Sequence, residues 1–251
     1  MTEKQNEHNM LMQFIEQDCF VDSKEKIAYP PVALSFGEKL VKSNKIEGDL
    51  IVPIPLGTFG NLSVVTAPPK TKKTFFISLL ASCYLSGSNQ FGGDIKGHRG
   101  TEGQLVHIDT EQGLWHCQKV FERVHKMDSN INSEIYHTFG LRSIDYKMRI
   151  QFIDYYLKEK IKAPSLIIID GIADLCSDAN NISESNHLVQ KLMEWSSLYK
   201  CHIINVIHQN FGSSKLGTGH LGSFLEKKAE TVIQLEANTV NKNWVTVKCG
   251  R

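Results

Sequence analysis

From about residue 50 onward the sequence alternates short apolar runs with longer amphipathic ones, and that alternation constrains the fold more than any single residue does. The short runs, read as strands, are 62–66, 104–108, 135–139, 165–169, 202–207, 231–235 and 244–248. The amphipathic stretches, read as helices, are 74–86, 113–126, 144–161 and 184–199. Strands alternating with helices need crossover connections, which predicts an α/β fold with a mostly parallel central sheet flanked by helices. Ser165-Leu-Ile-Ile-Ile169 is apolar without alternation, as a strand covered on both faces requires. Ligands of such sheets bind at the carboxyl ends of the strands, so the chemistry is expected just after each run.

A chain of 251 residues suits one sizeable α/β domain with an arm. Residues 1–45 are read as that N-terminal arm, with 1–9 disordered, a short helix over 10–19 and a break at Pro30-Pro31. A further short structured piece is expected at 32–41, and residues 46–251 form the main domain. The net charge of +1 excludes a global basic field, although a local patch can still meet nucleic acid. Six cysteines lie far apart without a C-x-x-C pair, which argues for reduced thiols over a disulfide framework or metal site. No apolar run is long enough to span a bilayer, and the polar N-terminus lacks a signal-peptide core. A soluble, cytoplasmic protein without membrane contact is expected.

The first strand of the main alternation leads into Ala67-Pro68-Pro69-Lys70-Thr71-Lys72-Lys73-Thr74, followed by Phe75 and a helical run. That is the layout of the phosphate-binding loop G-x-x-x-x-G-K-[ST], with Ala67 and Lys72 in place of the two glycines. Backbone amides at the turn and helix start still point at an anion. Lys73 can reach terminal phosphates and Thr74 can hold Mg²⁺. The alternative is a plain strand–turn–helix with surface lysines. Ala67 and Lys72 lack glycine's freedom, while Pro68 and Pro69 remove two amide donors but pre-set the turn. Either Lys72 supplies a second phosphate charge, or the loop binds nucleotide weakly.

Polar residues follow the other strands. Asp109-Thr110-Glu111 closes the second, where Glu111 can polarise a water as general base or merely cap the next helix. Gly140-Leu141-Arg142 follows the third and is a turn unless Arg142 reaches the site. Asp170 closes the fourth, the place of a Mg²⁺-binding carboxylate in phosphoryl-transfer sites. His208-Gln209-Asn210 ends the fifth and can sense a γ-phosphate. The next stretch, 211–222, contains Ser213, Ser214, Lys215, His220 and four glycines. It reads either as a mobile loop that touches a polymeric anion or as a bare connection.

In order and conjunction these motifs resemble the RecA-like ATPase core, shared by the recombinase RecA and the hexameric helicases of the DnaB and RepA kind. The resemblance covers residues from about 50 to 251 and is closest to RepA-like ATPases of plasmids and mobile elements. It rests on Val106-His-Ile-Asp-Thr-Glu111, Ile167-Ile-Ile-Asp170-Gly-Ile-Ala-Asp-Leu175 and Asn205-Val-Ile-His208-Gln209. It implies ATP and Mg²⁺ as cofactors. Lys73 would bind the β/γ-phosphates, Thr74 and Asp170 the metal, Glu111 would activate water, and Gln209 with His208 would act as sensor. The stretch 211–222 would match the DNA-contacting loop. Lys248 or Arg251 would supply a cation to the site of an adjacent subunit.

The implied partners are single-stranded DNA, further copies of the chain in a homo-oligomer such as a hexamer, and replication or mobilisation proteins. The implied function is a DNA-acting ATPase motor in replication, recombination or mobile-element transfer. The degenerate loop favours a second reading, a nucleotide-binding assembly factor with little or no turnover. A nucleotide kinase fits less well, because no Arg-rich lid is present.

Overall fold

The structure is a computed structural model that describes residues 3–42, 49–209, 217–241 and 243–250. By its contacts the chain divides into two units, Met1–Pro30 and Pro31–Arg251. The first carries a helix, α1 (Glu3–Cys19), which begins well before the expected residue 10. The strand β1 (Val32–Lys42) belongs to the second unit, which begins at Pro31.

The second unit is built on a seven-stranded sheet. In chain order its strands are β3 (Leu62–Ala67), β5 (Gln104–Asp109), β6 (Tyr136–Gly140), β7 (Pro164–Asp170), β8 (His202–His208), β9 (Thr231–Ala237) and β10 (Val245–Gly250). In space they run β10-β9-β3-β8-β7-β5-β6, all parallel except for the antiparallel β9–β10 pair. The expected α/β architecture is borne out. A second, three-stranded antiparallel sheet of order β2-β1-β4 adds β2 (Asp49–Thr58) and β4 (Ile95–Gly97). The alternation does not reveal these two, because β2 carries Pro53 and Pro55 and β4 has three residues.

Helices α2 (Lys73–Ser86), α3 (Leu114–Met127), α4 (Tyr146–Glu159) and α5 (Ile182–Leu198) fall where the amphipathic stretches place them. Asp145 caps α4 by accepting the Lys147 N–H, and Asn181 caps α5 by accepting that of Glu184. Gly87, at φ 64°, ends α2. A helix whose first four residues the sequence reading assigned to the loop 211–222, α6 (Gly219–Lys228), packs Leu221 and Leu225 into the core. Two apolar layers lie on opposite faces of the large sheet. One joins β-strand residues such as Ile167 and Ile169 to Leu188, Leu192 and Trp195 of α5. The other joins Val65, Ile168 and Val206 to Ile77 and Leu80 of α2 and to Ala33 and Leu34 of β1. Among the described residues, no helix is long and apolar enough to cross a membrane.

At the amino-terminal end of the sheet, away from the strand ends that carry the motifs, a buried polar network ties four segments together. The Glu230 carboxylate accepts the Thr58 N–H and hydroxyl, both at 2.9 Å. His202 lies 2.9 Å from the Thr58 carbonyl through Nδ1 and 2.9 Å from the Ser63 hydroxyl through Nε2. A carbonyl only accepts, so the proton sits on Nδ1 and Ser63 donates to Nε2. Burial pushes His202 down to about 4, and His107, 2.9 Å from the Tyr136 hydroxyl, down to about 4 as well.

Both histidines bind a proton more readily in the unfolded chain, whose imidazoles titrate near 6.5. Their contribution is therefore complete above that value and is lost as the pH falls toward 4. Each histidine is expected to remove roughly 2–3 kcal/mol between pH 7 and 4.5. Urea unfolding at the two pH values checks this: His202→Asn should be less stable at pH 7 but lose less on acidification. An equally steep loss in the variant would contradict the assignment.

Candidate active site

The phosphate-loop segment leaves β3 at Ala67, which is fully buried and in strand conformation. The substitution of the first glycine therefore carries no backbone strain. Positive φ falls on Lys70 (65°) and Lys72 (59°), so strain at a replaced glycine falls on the second site alone. Left-handed backbone at a residue with a Cβ costs about 1–2 kcal/mol. Three contacts hold the loop against that cost. The Thr71 hydroxyl donates to the Pro68 carbonyl at 2.6 Å, the Phe75 N–H to the Lys72 carbonyl at 3.0 Å, and the Lys72 ammonium to the Asn243 carbonyl at 2.9 Å. Helix α2 starts at Lys73 without a side-chain cap, so its first turn directs amide dipoles along the loop.

Lys73, 8 % exposed, points inward from that turn. Its ammonium lies 3.7 Å from Glu111 Oε1 and within 3.3 Å of both ring nitrogens of His208. His208 Nε2 lies 3.3 Å from the same Glu111 oxygen. His208 thus stands between the Lys73 ammonium and the Glu111 carboxylate, with Nε2 the ring nitrogen nearer to both. The hydrogen bond from His208, with the Lys73 charge behind it, holds the Glu111 carboxyl below its usual range against the opposing effect of burial.

Asp170 is 2 % exposed, and burial, reinforced by the Asp109 charge, pushes its carboxyl up to about 7. Its Oδ1 is buried without a hydrogen-bond partner. A buried, unpartnered carboxylate oxygen beside a lysine and a threonine-bearing helix start fits a hard divalent cation. Thr74 is half-buried in the first turn of α2. Among the described residues no three His, Cys, Asp or Glu side chains converge on one point, so a cation held here would draw most of its ligands from phosphate and water.

The turn after β7 needs its glycine. Gly171 has φ 96°, and a Cβ there would stand 2.2 Å from the Thr110 hydroxyl. That hydroxyl is 2.8 Å from the Gly171 carbonyl and 3.0 Å from Asp174 Oδ2, which locks the turn after β5 to the turn after β7. Gln209 is 9 % exposed; its backbone N–H donates to the Ala67 carbonyl at 3.2 Å and its amide reaches the Thr66 hydroxyl at 3.4 Å. The predicted sensor thus touches the strand that feeds the phosphate loop.

Other expected residues lie elsewhere. His220 is on α6, stacked on Phe224 with ring centroids 6.1 Å apart, and is not part of a loop. Ser213, Ser214, Lys215 and Arg251 lie outside the described residues. Lys248 sits on the edge strand β10, level with Gln234, and its ammonium pairs with Glu236 at 2.6 Å. Arg142 is exposed in the turn after β6, where its carbonyl accepts from Arg149 at 3.0 Å.

Sequence reasoning passed over Arg123 of α3. Its guanidinium carbon is 3.9 Å from the centre of the Phe75 ring, and Nη1 donates to Ser78 at 3.1 Å. Phe75 stays 55 % exposed directly after Thr74 and, with Lys72, Phe91, Met127 and Val245, lines an apolar groove of about 400 Å³. The available signal was an aromatic residue at the exposed start of an otherwise buried helix.

Residues 54–213 match a protein-family model described as AAA domain (AAA_25). No curated protein sequence matches the chain. Among solved structures the RadB recombinase is similar at 16 % identity and a TM-score of 0.47, over 72 % of this chain and 76 % of that one. The family match spans more than half of the 251 residues, and the chain belongs to this AAA domain family.

Proposed function

We propose that the protein binds and hydrolyses ATP with Mg²⁺. One observation carries this reading: Lys73, Glu111, Asp170, His208 and Gln209 converge from the carboxyl ends of four adjacent strands, β3, β8, β7 and β5. Chemically the set is complete for phosphoryl transfer to water. Lys73 pairs with the terminal phosphates, and the α2 amides bind phosphate oxygens. Glu111, kept ionised by His208 and Lys73, takes the proton of the attacking water. Thr74 and Asp170 would hold Mg²⁺, which screens the phosphate charge when bound. The groove beside Phe75 and Arg123 provides a flat apolar and cationic surface suited to a nucleobase. His208 and Gln209 touch the phosphate side of the site and begin the segment that leads to α6.

The DNA-acting function rests on the order of the motifs. A γ-phosphate contact at His208 and Gln209 would move the segment after β8 against single-stranded DNA. The RepA-like relationship, the homo-oligomer and the trans role of Lys248 or Arg251 belong to the same reading. The strained, glycine-free loop supports the second reading, an assembly factor that binds nucleotide with little turnover.

Hydrolysis measured with and without single-stranded DNA separates the two. Glu111→Gln is expected to cut kcat about 10²–10⁴-fold while leaving ATP affinity within a few-fold. Lys73→Ala should weaken ATP binding itself, read by nucleotide titration. DNA should raise the wild-type rate. Measurable ATP binding with no phosphate release under either condition would favour the assembly factor.

A further inference from the structure

Asp109 has no part in the chemistry just described, yet it is 1 % exposed and lies in register with Asp170 across the β5–β7 pair. One of its oxygens accepts the backbone N–H of Glu111 at 3.0 Å and that of Gln112 at 2.8 Å. The other accepts the Gln112 side-chain amide at 2.8 Å. Its own carbonyl accepts the Leu141 N–H at 2.7 Å, which fixes the residue to the neighbouring turn as well. The titratable groups facing it are Cys117 of α3, Tyr136 of β6, Asp170 of β7 and Glu111. None of these is a cation. Two of them are carboxylates, so keeping a third one here costs free energy. What the structure gains is a closed turn: an aspartate that caps the two amides after it fixes the backbone from which Glu111 projects.

We propose that Asp109 is the positioning residue of Glu111, an inference that rests on Glu111 acting as the water-activating base. Glu111 is then held at both ends. Asp109 sets its backbone, while Lys73 and His208 set its carboxylate. A base that is misplaced by about 1 Å loses on the order of 10²-fold in rate, so the turn matters to turnover and not to nucleotide affinity.

Steady-state hydrolysis by Asp109→Ala and Asp109→Asn, normalised to titrated nucleotide-binding sites, tests this. Asn keeps an acceptor for the two backbone amides, and a rotated Gln112 side chain can meet its NH₂ group. Ala keeps neither. Asp109→Ala is expected to lower kcat about 10–100-fold with KM for ATP changed less than about 3-fold. Asp109→Asn should return kcat to within about 5-fold of wild type. A kcat for Asp109→Ala close to wild type, or no rescue by Asn, overturns the proposal. If the Ala variant does not fold, Asp109→Glu decides: it keeps the charge but moves the acceptor by one methylene, and unchanged turnover overturns the idea. A wild-type chain that hydrolyses no ATP sinks the hydrolysis reading and the positioning role together. Normal turnover with an indifferent Asp109 sinks the positioning role alone.

Discussion

Parallel pairing of β3 with β8, β8 with β7 and β7 with β5 is the constraint on which the site depends. The register sets Ala67 beside His208 and Asp170 beside Asp109, so four strand ends open along one rim. The pairing is sustained by strands that are apolar on both faces, with Ile167, Ile168 and Ile169 fully buried between the two helical layers. A slip of one residue in β7 would turn Asp170 toward the opposite face of the sheet. The hydrophobic register thereby sets the positions of charged groups that contribute nothing to it.

Those charged groups oppose one another. Asp109, Glu111 and Asp170 bring three carboxylates to one end of the sheet, with Lys73 among them and His208 bridging Lys73 to Glu111. Burial divides their behaviour. Glu111 has two donors and stays ionised easily, whereas Asp170 has an unpartnered oxygen and holds its proton up to about 7. The unpartnered Asp170 oxygen is the one left open to a cation, and the Glu111 carboxylate stays available to accept a proton, the roles proposed for the site.

The loop proposed to hold phosphate keeps its shape without glycines. The first position ends a strand and needs no special backbone. The second takes the left-handed conformation and carries a lysine there, tied to the β9–β10 connection through the Asn243 carbonyl. Pro68 needs no amide donor at the strand end, and its carbonyl is taken by Thr71. This arrangement links the start of α2 to the β10 edge of the sheet, next to the groove below Phe75.

Much of this was legible in the residues. Short apolar runs between amphipathic ones marked the five inner strands, with the unbroken Leu166-Ile-Ile-Ile169 showing the one covered on both faces, and the polar residues beyond the strand ends marked Lys73, Glu111, Asp170 and Gln209. The three-residue β4, the proline-bearing β2 and helix α6 were not legible, since their order comes from packing against neighbours and not from local pattern. The sequence by itself determined the fold class and the order of motifs, through periodicity and turn chemistry that act over a few residues. Only the tertiary structure decided that His208 bridges Lys73 to Glu111, that Arg123 covers Phe75, and that Asp109 holds the turn of Glu111. These contacts join residues far apart in the chain or turn on which way a buried side chain points, and strand order and register fix both.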